Sequence, residues 1–132
     1  MMKTLLKIEE LAQFLLCIAL LAVCQAPWWA YLLLLLGPDI GMLGYLVGPR
    51  TGAFTYNLLH HKAVALVVVV GGIGALSGQN LWSDTAIKDL RLLMLGLVLY
   101  GHASMDRLFG FGLKYGDSFH HTHLGRIRNA SA

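Results

Sequence analysis

The chain has 132 residues, the length of one domain, with 57% hydrophobic and 13% charged residues and a formal net charge of +3. So much apolar side chain with so little charge exceeds what a water-soluble domain carries, and it points to a bilayer as the main solvent. The basic residues sit at the edges of apolar stretches and form no continuous patch, which argues against nucleic acid as a partner and fits membrane topology instead.

A bilayer core about 30 Å thick takes about 20 mainly apolar residues per helix, so four spans with short connections use most of this length. The first expected helix covers about 5–24. Lys3 precedes it, and Lys7, Glu9 and Glu10 lie near its start; no small-residue cleavage site follows, so it reads as a retained helix and not a signal peptide. Its two cysteines, Cys17 and Cys24, are about 10 Å apart along the axis, too far for a mutual disulfide.

Gln25, Ala26 and Pro27 break the chain before a second helix over about 28–47. Trp28, Trp29 and Tyr31 are rings suited to the headgroup layer, and Gly37 and Pro38 predict a kink or local unwinding just before Asp39. The stretch from Gly48 to Gly52, with Pro49 and Arg50, reads as a tight turn. A third helix is expected over about 53–76; residues 64–70 are rich in valine, but in lipid a helix satisfies every backbone group at least cost. The loop 77–85, with Trp82 as an interfacial anchor, leads to a fourth helix over about 86–109. Residues 110–132 form a tail that folds back over the cytoplasmic mouth.

The expected fold is therefore an all-α, integral-membrane four-helix bundle. Lys3, Lys7, Arg50, Arg107, Lys114, Arg126 and Arg128 fall on the side of the termini, while Lys88 and Arg91 on the other side are offset by Asp84 and Asp89. The excess of Lys and Arg puts both termini in the cytoplasm and the protein in the inner membrane.

Ionisable side chains within membrane helices are costly unless paired, so each is a functional candidate. Glu9 and Glu10 on the first helix, Asp39 on the second, Asn57, His60 and His61 on the third, and His102 and Asp106 on the fourth all fall within about 5–15 Å of the cytoplasmic surface at 1.5 Å per residue. His102 and Asp106 share one helical face, as do Asn57 and His61, and Asn57 and His60. His60 and His61 differ by about 100° around a helix, so one of them at most faces an interior site. Acids and imidazoles converging at one depth are how metal sites are built in helical bundles, and zinc or iron suits this donor set. Asp39, Asn57, His60, His61, His102 and Asp106 are the candidate metal ligands. Glu10 and Glu9 are the candidate catalytic acids and bases. Tyr45, Tyr56 and Tyr100 lie near the layer and are assigned to packing. Arg50, Lys114, His123 and Arg126 are candidates for lipid headgroup or accessory contacts.

Several motifs carry a resemblance. Glu9-Glu10, Pro38-Asp39, the Gly48-Pro49-Arg50 turn, Tyr56-Asn57 with His60, His102 with Asp106-Arg107, and Thr122-His123-Leu124-Gly125 together resemble a family of small bacterial four-span membrane proteins of unknown function, over nearly the whole chain. A weaker similarity, through Asp39, His60 or His61, and His102 with Asp106, is to the inner-membrane metal-dependent hydrolases; the Thr-His and His-Arg-Gly elements of that pattern are lacking here.

The leading expectation is a metal-dependent membrane hydrolase acting on a lipid-like phosphoester at the cytoplasmic leaflet. The alternatives are a non-enzymatic proton or ion pathway or assembly subunit with a structural polar cluster, and a redox protein holding b-type haem or a di-iron centre on the same residues.

Overall fold

The computed structural model describes residues 1–77 and 84–127. The body is all-α: helices α1 (Met2–Val23), α2 (Trp28–Leu36), α3 (Pro49–His60), α4 (Lys62–Leu76) and α5 (Asp84–Phe109), with a 3-10 helix over Gly37–Leu46 continuing α2. A short antiparallel pair, β1 (His121–Thr122) and β2 (Gly125–Arg126), closes the tail. The expected Trp82 anchor and Arg128 lie outside the described residues, as do the side chains of Asp84, Lys88 and Asp89.

The 26-residue α5 is the axis of the fold and packs against α1, α2, α3 and α4. Cys17 and Leu21 of α1, Leu34 of α2, and Leu97 and Val98 of α5 form the buried apolar core. Both cysteines are free. Where α4 crosses α5 the backbones meet so closely that a Cβ on Gly96 would lie 2.7 Å from the Val69 nitrogen, which only glycine allows.

Two helices end in the same way. After α1, Gln25 takes a left-handed φ of 53°, and the N–H groups of Gln25 and Ala26 donate to the carbonyls of Ala22 and Leu21. This paired cap reverses the chain into Pro27 and α2. After α5, Gly110 at φ 92° does the same, with Gly110 and Phe111 donating to Arg107 and Asp106. That turn sends the tail back across the last turn of α5 instead of away from the bundle.

Pro38 lacks the N–H that an α-helix interior needs, and from Gly37 the α-helix tightens to a 3-10 helix of ten residues. It lies against α3: Thr55 Oγ1 donates to the Gly41 carbonyl at 2.6 Å, and a Cβ on Gly44 would fall 2.1 Å from that hydroxyl.

The expected single helix over 53–76 is divided. Pro49, expected in a turn, instead opens α3, since its fixed φ and missing N–H suit a first helical position. His61 then leaves helical geometry at φ −86° and ψ 114°, and its Nδ1 accepts the Ala63 N–H at 3.2 Å to cap α4. The two helices bend by 43°. Lys62, just past the break, donates to both Glu10 and Gln13 on α1, which fixes the bend from outside.

Among the described residues, Trp28–Leu46 is long and apolar enough to cross a membrane by itself, and α3 with α4 meets the same test as a bent pair.

Candidate metal centre

Four side chains from three elements meet inside the bundle: Asp39 from the 3-10 helix, His60 from the end of α3, and His102 and Asp106 one turn apart on α5. Their donor atoms all lie within 4.8 Å of one another. His102 is 0% exposed and His60 3%, whereas Asp39 keeps 35%.

The hydrogen bonds fix what the imidazoles present. His60 Nδ1 is 2.8 Å from the Tyr56 carbonyl, and His102 Nδ1 is 2.8 Å from the Leu34 carbonyl. A carbonyl can only accept, so each Nδ1 carries a proton and each ring turns its Nε2 inward. Those two nitrogens face each other at 3.0 Å. Opposed lone pairs at that distance repel unless a cation or a proton sits between them.

The remaining spacings suit a cation. Asp39 Oδ1 is 3.6 Å from His60 Nε2 and 3.4 Å from His102 Nε2; Asp106 lies 3.4 Å and 3.7 Å from the same atoms. Ligands about 2.0–2.1 Å from a tetrahedral ion stand about 3.3–3.4 Å apart, at the lower end of this range. Two neutral imidazoles and two carboxylates also balance the charge of one divalent ion. The Tyr56 hydroxyl donates to Asp106 Oδ2, and the Tyr56 ring stacks on His60 at 3.7 Å. Two of the four donors are thus oriented by one residue.

A cavity of about 170 Å³ opens beside the cluster, lined by Asp39, Met42, Tyr56, Asp106, Phe111, Lys114 and Phe119. The tail forms its roof. Asn57 holds that roof down: its Nδ2 donates to the Lys114 carbonyl at 2.8 Å, and its Oδ1 accepts the Lys114 N–H at 2.7 Å.

The family model for "Domain of unknown function (DUF4260)" matches residues 3–127. The chain belongs to that family. No curated protein and no solved structure matches it.

In this DUF4260 chain several of the expected site residues are engaged elsewhere. Asn57 spends both ends of its amide on the tail, so it is a clamp and not a metal donor. His61 is exposed and caps α4. Glu10 pairs with Lys62 and lies 3.7 Å from Arg107, while Glu9 is exposed and accepts from Gln13 at 3.1 Å. Gln13 Oε1 also accepts from Tyr100 at 3.1 Å and from Lys62, so the Glu10 region is a separate polar staple between α1, α4 and α5.

Of the accessory candidates, Arg50 lines an open surface hollow with Gly116 and Asp117. His123 Nδ1 accepts the Leu113 N–H at 2.8 Å, and Arg126 is exposed in β2. Lys114 is the exception: it is 4% exposed, with its ammonium 4.0 Å from the Phe119 ring centroid and 5.0 Å from that of Tyr56. Burial pulls its pKa down, and the charges of Asp106 and Asp39 pull it back up.

The geometry also bears on haem. Axial nitrogens on opposite faces of an iron porphyrin stand about 4 Å apart with the ring between them. His60 and His102, at 3.0 Å, leave no room for one.

Proposed function

We propose that this chain is a multi-pass membrane protein whose Asp39, His60, His102 and Asp106 hold one divalent ion for the hydrolysis of a lipid-like phosphoester at the cytoplasmic leaflet. The observation that carries the metal reading is the pair of Nε2 atoms, turned toward each other by the hydrogen bonds of their Nδ1 atoms and converging at 3.0 Å. Metal–nitrogen distances of about 2.0–2.1 Å would give an angle of about 90–95° between them, which a four- or five-coordinate ion tolerates. Four donors suit one zinc or iron ion better than a di-iron pair, whose bridging needs more carboxylates.

The membrane reading is supported by the surface. Leu16, Leu36, Leu46, Val67, Val70 and Phe109 are all more than half exposed, and large apolar side chains left open in this number call for lipid or a partner. The 3-10 stretch rises about 2.0 Å per residue, so Trp28–Leu46 reaches about 33 Å, enough for a core about 30 Å thick. Four crossings, by α1, by α2 with the 3-10 helix, by α3 with α4, and by α5, would leave both termini in the cytoplasm by the distribution of Lys and Arg.

When bound, a divalent ion supplies Lewis acidity toward water and toward the scissile phosphoryl oxygen. We assign His60, His102, Asp106 and one oxygen of Asp39 to holding it, with Tyr56 fixing Asp106. The second oxygen of Asp39, the less buried carboxylate on the cavity side, is our choice for the group that takes the proton from the attacking water.

The test is elemental analysis of protein purified in detergent, followed by chelation and assay on short-chain phosphoesters. The expectation is one ion per chain, a lower Tm after chelation, and hydrolysis restored by the returned metal. Protein that is metal-free as purified, takes up no zinc or iron, and is unmoved by chelator would end the metal reading; full metal with no turnover of any phosphoester would end the hydrolase reading alone. A proton relay is the second reading, because two imidazole nitrogens at 3.0 Å can also share a proton. It expects the metal-free, chelator-indifferent result.

A further inference from the structure

Lys114 is the least explained charge in the molecule. Its side chain is 4% exposed, and among the described residues its Nζ has no hydrogen-bond partner. Three N–H donors buried without an acceptor are costly, and native structures keep such groups only where something offsets them. Part of the offset is visible. The ring centroids of Phe119, Tyr56 and Phe111 lie 4.0, 5.0 and 5.8 Å from the ammonium, and such faces attract a cation. Aromatic faces do not accept three N–H groups, however, and Lys114 lines the same cavity as Asp39 and Asp106.

The surroundings hold the residue in place. Its backbone is fastened to Asn57 through both amide atoms and bridged to Thr122 of β1. The residue is therefore set over the cavity by its main chain, and its side chain has little freedom to reach solvent.

Charge selects the occupant. With one divalent ion, two ionised carboxylates, two neutral imidazoles and one ammonium, the loaded site carries a net charge of about +1. A singly charged oxyanion neutralises it and supplies the missing acceptors. Size limits how much of the ligand enters: about 170 Å³ is below the roughly 300–1,000 Å³ of pockets that enclose a whole drug-sized molecule. A phosphate-sized head group fits inside while the remainder of an amphipathic molecule stays outside.

We propose that the cavity between the tail and the four-ligand cluster is an oxyanion subsite in which Lys114 Nζ holds a phosphate-type head group against the centre formed by Asp39, His60, His102 and Asp106. This rests on the metal reading above for its charge balance, though not for the buried ammonium itself. The same oxyanion chemistry belongs to inorganic phosphate and to the phosphodiester of a lipid head group, so the test uses both as probes.

Full-length protein in detergent, loaded with zinc, is titrated with inorganic phosphate and separately with short-chain phosphatidylglycerol, reading Tm and the phosphorus NMR linewidth, with metal content measured in every sample. Lys114→Met, Lys114→Gln and Lys114→Arg are compared with the unaltered chain, and Lys3→Met serves as a control for surface charge. The expected result is a Tm rise and line broadening with at least one probe, affinity at least tenfold weaker in Lys114→Met and Lys114→Gln at unchanged metal content, and near-native affinity in Lys114→Arg and Lys3→Met. Response to phosphate alone assigns a free-phosphate subsite, and response to the lipid assigns a head-group subsite. Equal affinity in the neutral variants, or no response to either probe in zinc-loaded protein, overturns the proposal. Protein that takes up no metal yet binds phosphate in a Lys114-dependent way supports the subsite and sinks the metal reading, so the two failures are distinguishable. Three substitutions at one position keep the test decisive if one of them fails to fold.

Discussion

The stretch of α5 from Leu97 to Asp106 has two halves built on different physics. Around Leu97 and Val98 the helix is buried in an apolar cluster with Cys17, Leu21 and Leu34. One turn on, His102, Ser104 and Asp106 are turned inward, and each has a named polar neighbour. An apolar half is specified by volume, so that several side chains of similar size would serve. A polar half is specified by partners, so that one missing atom strands another. The first half gives the molecule cohesion; the second gives it a place where an ion can sit.

Substitutions can break this contrast. His102→Ala removes a donor from the centre of the cluster and should abolish metal uptake, read as loss of the bound ion by elemental analysis, while the helical circular dichroism persists. Leu21→Ala, at a wholly buried apolar position, should cost about 2–5 kcal/mol in stability and leave the metal content intact. If the two variants behave alike, the halves are not separable. Tyr56→Phe keeps the ring on His60 and deletes only the hydroxyl that orients Asp106, and should weaken metal affinity by about 10–100-fold in a competition titration with a chelator.

Milder changes sharpen the comparison at the tail. Asn57→Ala removes both bonds to Lys114 and should lower stability by about 1–2 kcal/mol, with faster limited proteolysis within residues 110–127 and slower loss inside the helices. His123 gives the smallest effect. Partial desolvation of its ring, then the charge of Arg107, hold its pKa below the ordinary histidine value. A depressed histidine pKa means that the unfolded chain takes up the proton first, so its stability contribution is intact above about 6.5, the ordinary value, and falls as pH drops below it. Protection of the Leu113 amide, which donates to that ring, measured as its exchange rate relative to the intrinsic rate at each pH, should fall as the pH is lowered from 7.5 to about 5.5, and His123→Gln should flatten the response. Protection indifferent to pH would remove His123 from the account.

Much of the site could be read from the sequence because polar groups beside an apolar run are conspicuous: Asp39 is the one charged residue in its segment, His102 and Asp106 follow the apolar run 92–101, and the i, i+4 spacing aligns those two. His60 and His61 could not be separated, since the break between α3 and α4 falls on that pair and a continuous helix was the natural expectation. Asn57 shared a face with the histidines and so resembled a ligand, but its partner is the backbone of a residue 57 positions away, which local periodicity cannot report. Glu10 was conspicuous for the same reason as Asp39, and Lys62, the cation that claims it, was hidden by the same break. Lys114 reads from the sequence as a lipid headgroup or accessory contact, and its burial is not legible there. The signal that could have found it is the presence of Phe111 and Phe119 on either side in an otherwise polar stretch.

The paired cap at Gly110 separates the roof of the cavity from its floor. Asp39, His60, His102 and Asp106 all precede that cap in the chain, whereas Phe111, Lys114 and Phe119 follow it and are fastened back through Asn57. Substitutions in the tail can therefore reshape the space over the cluster while the four donors stay on their own helices.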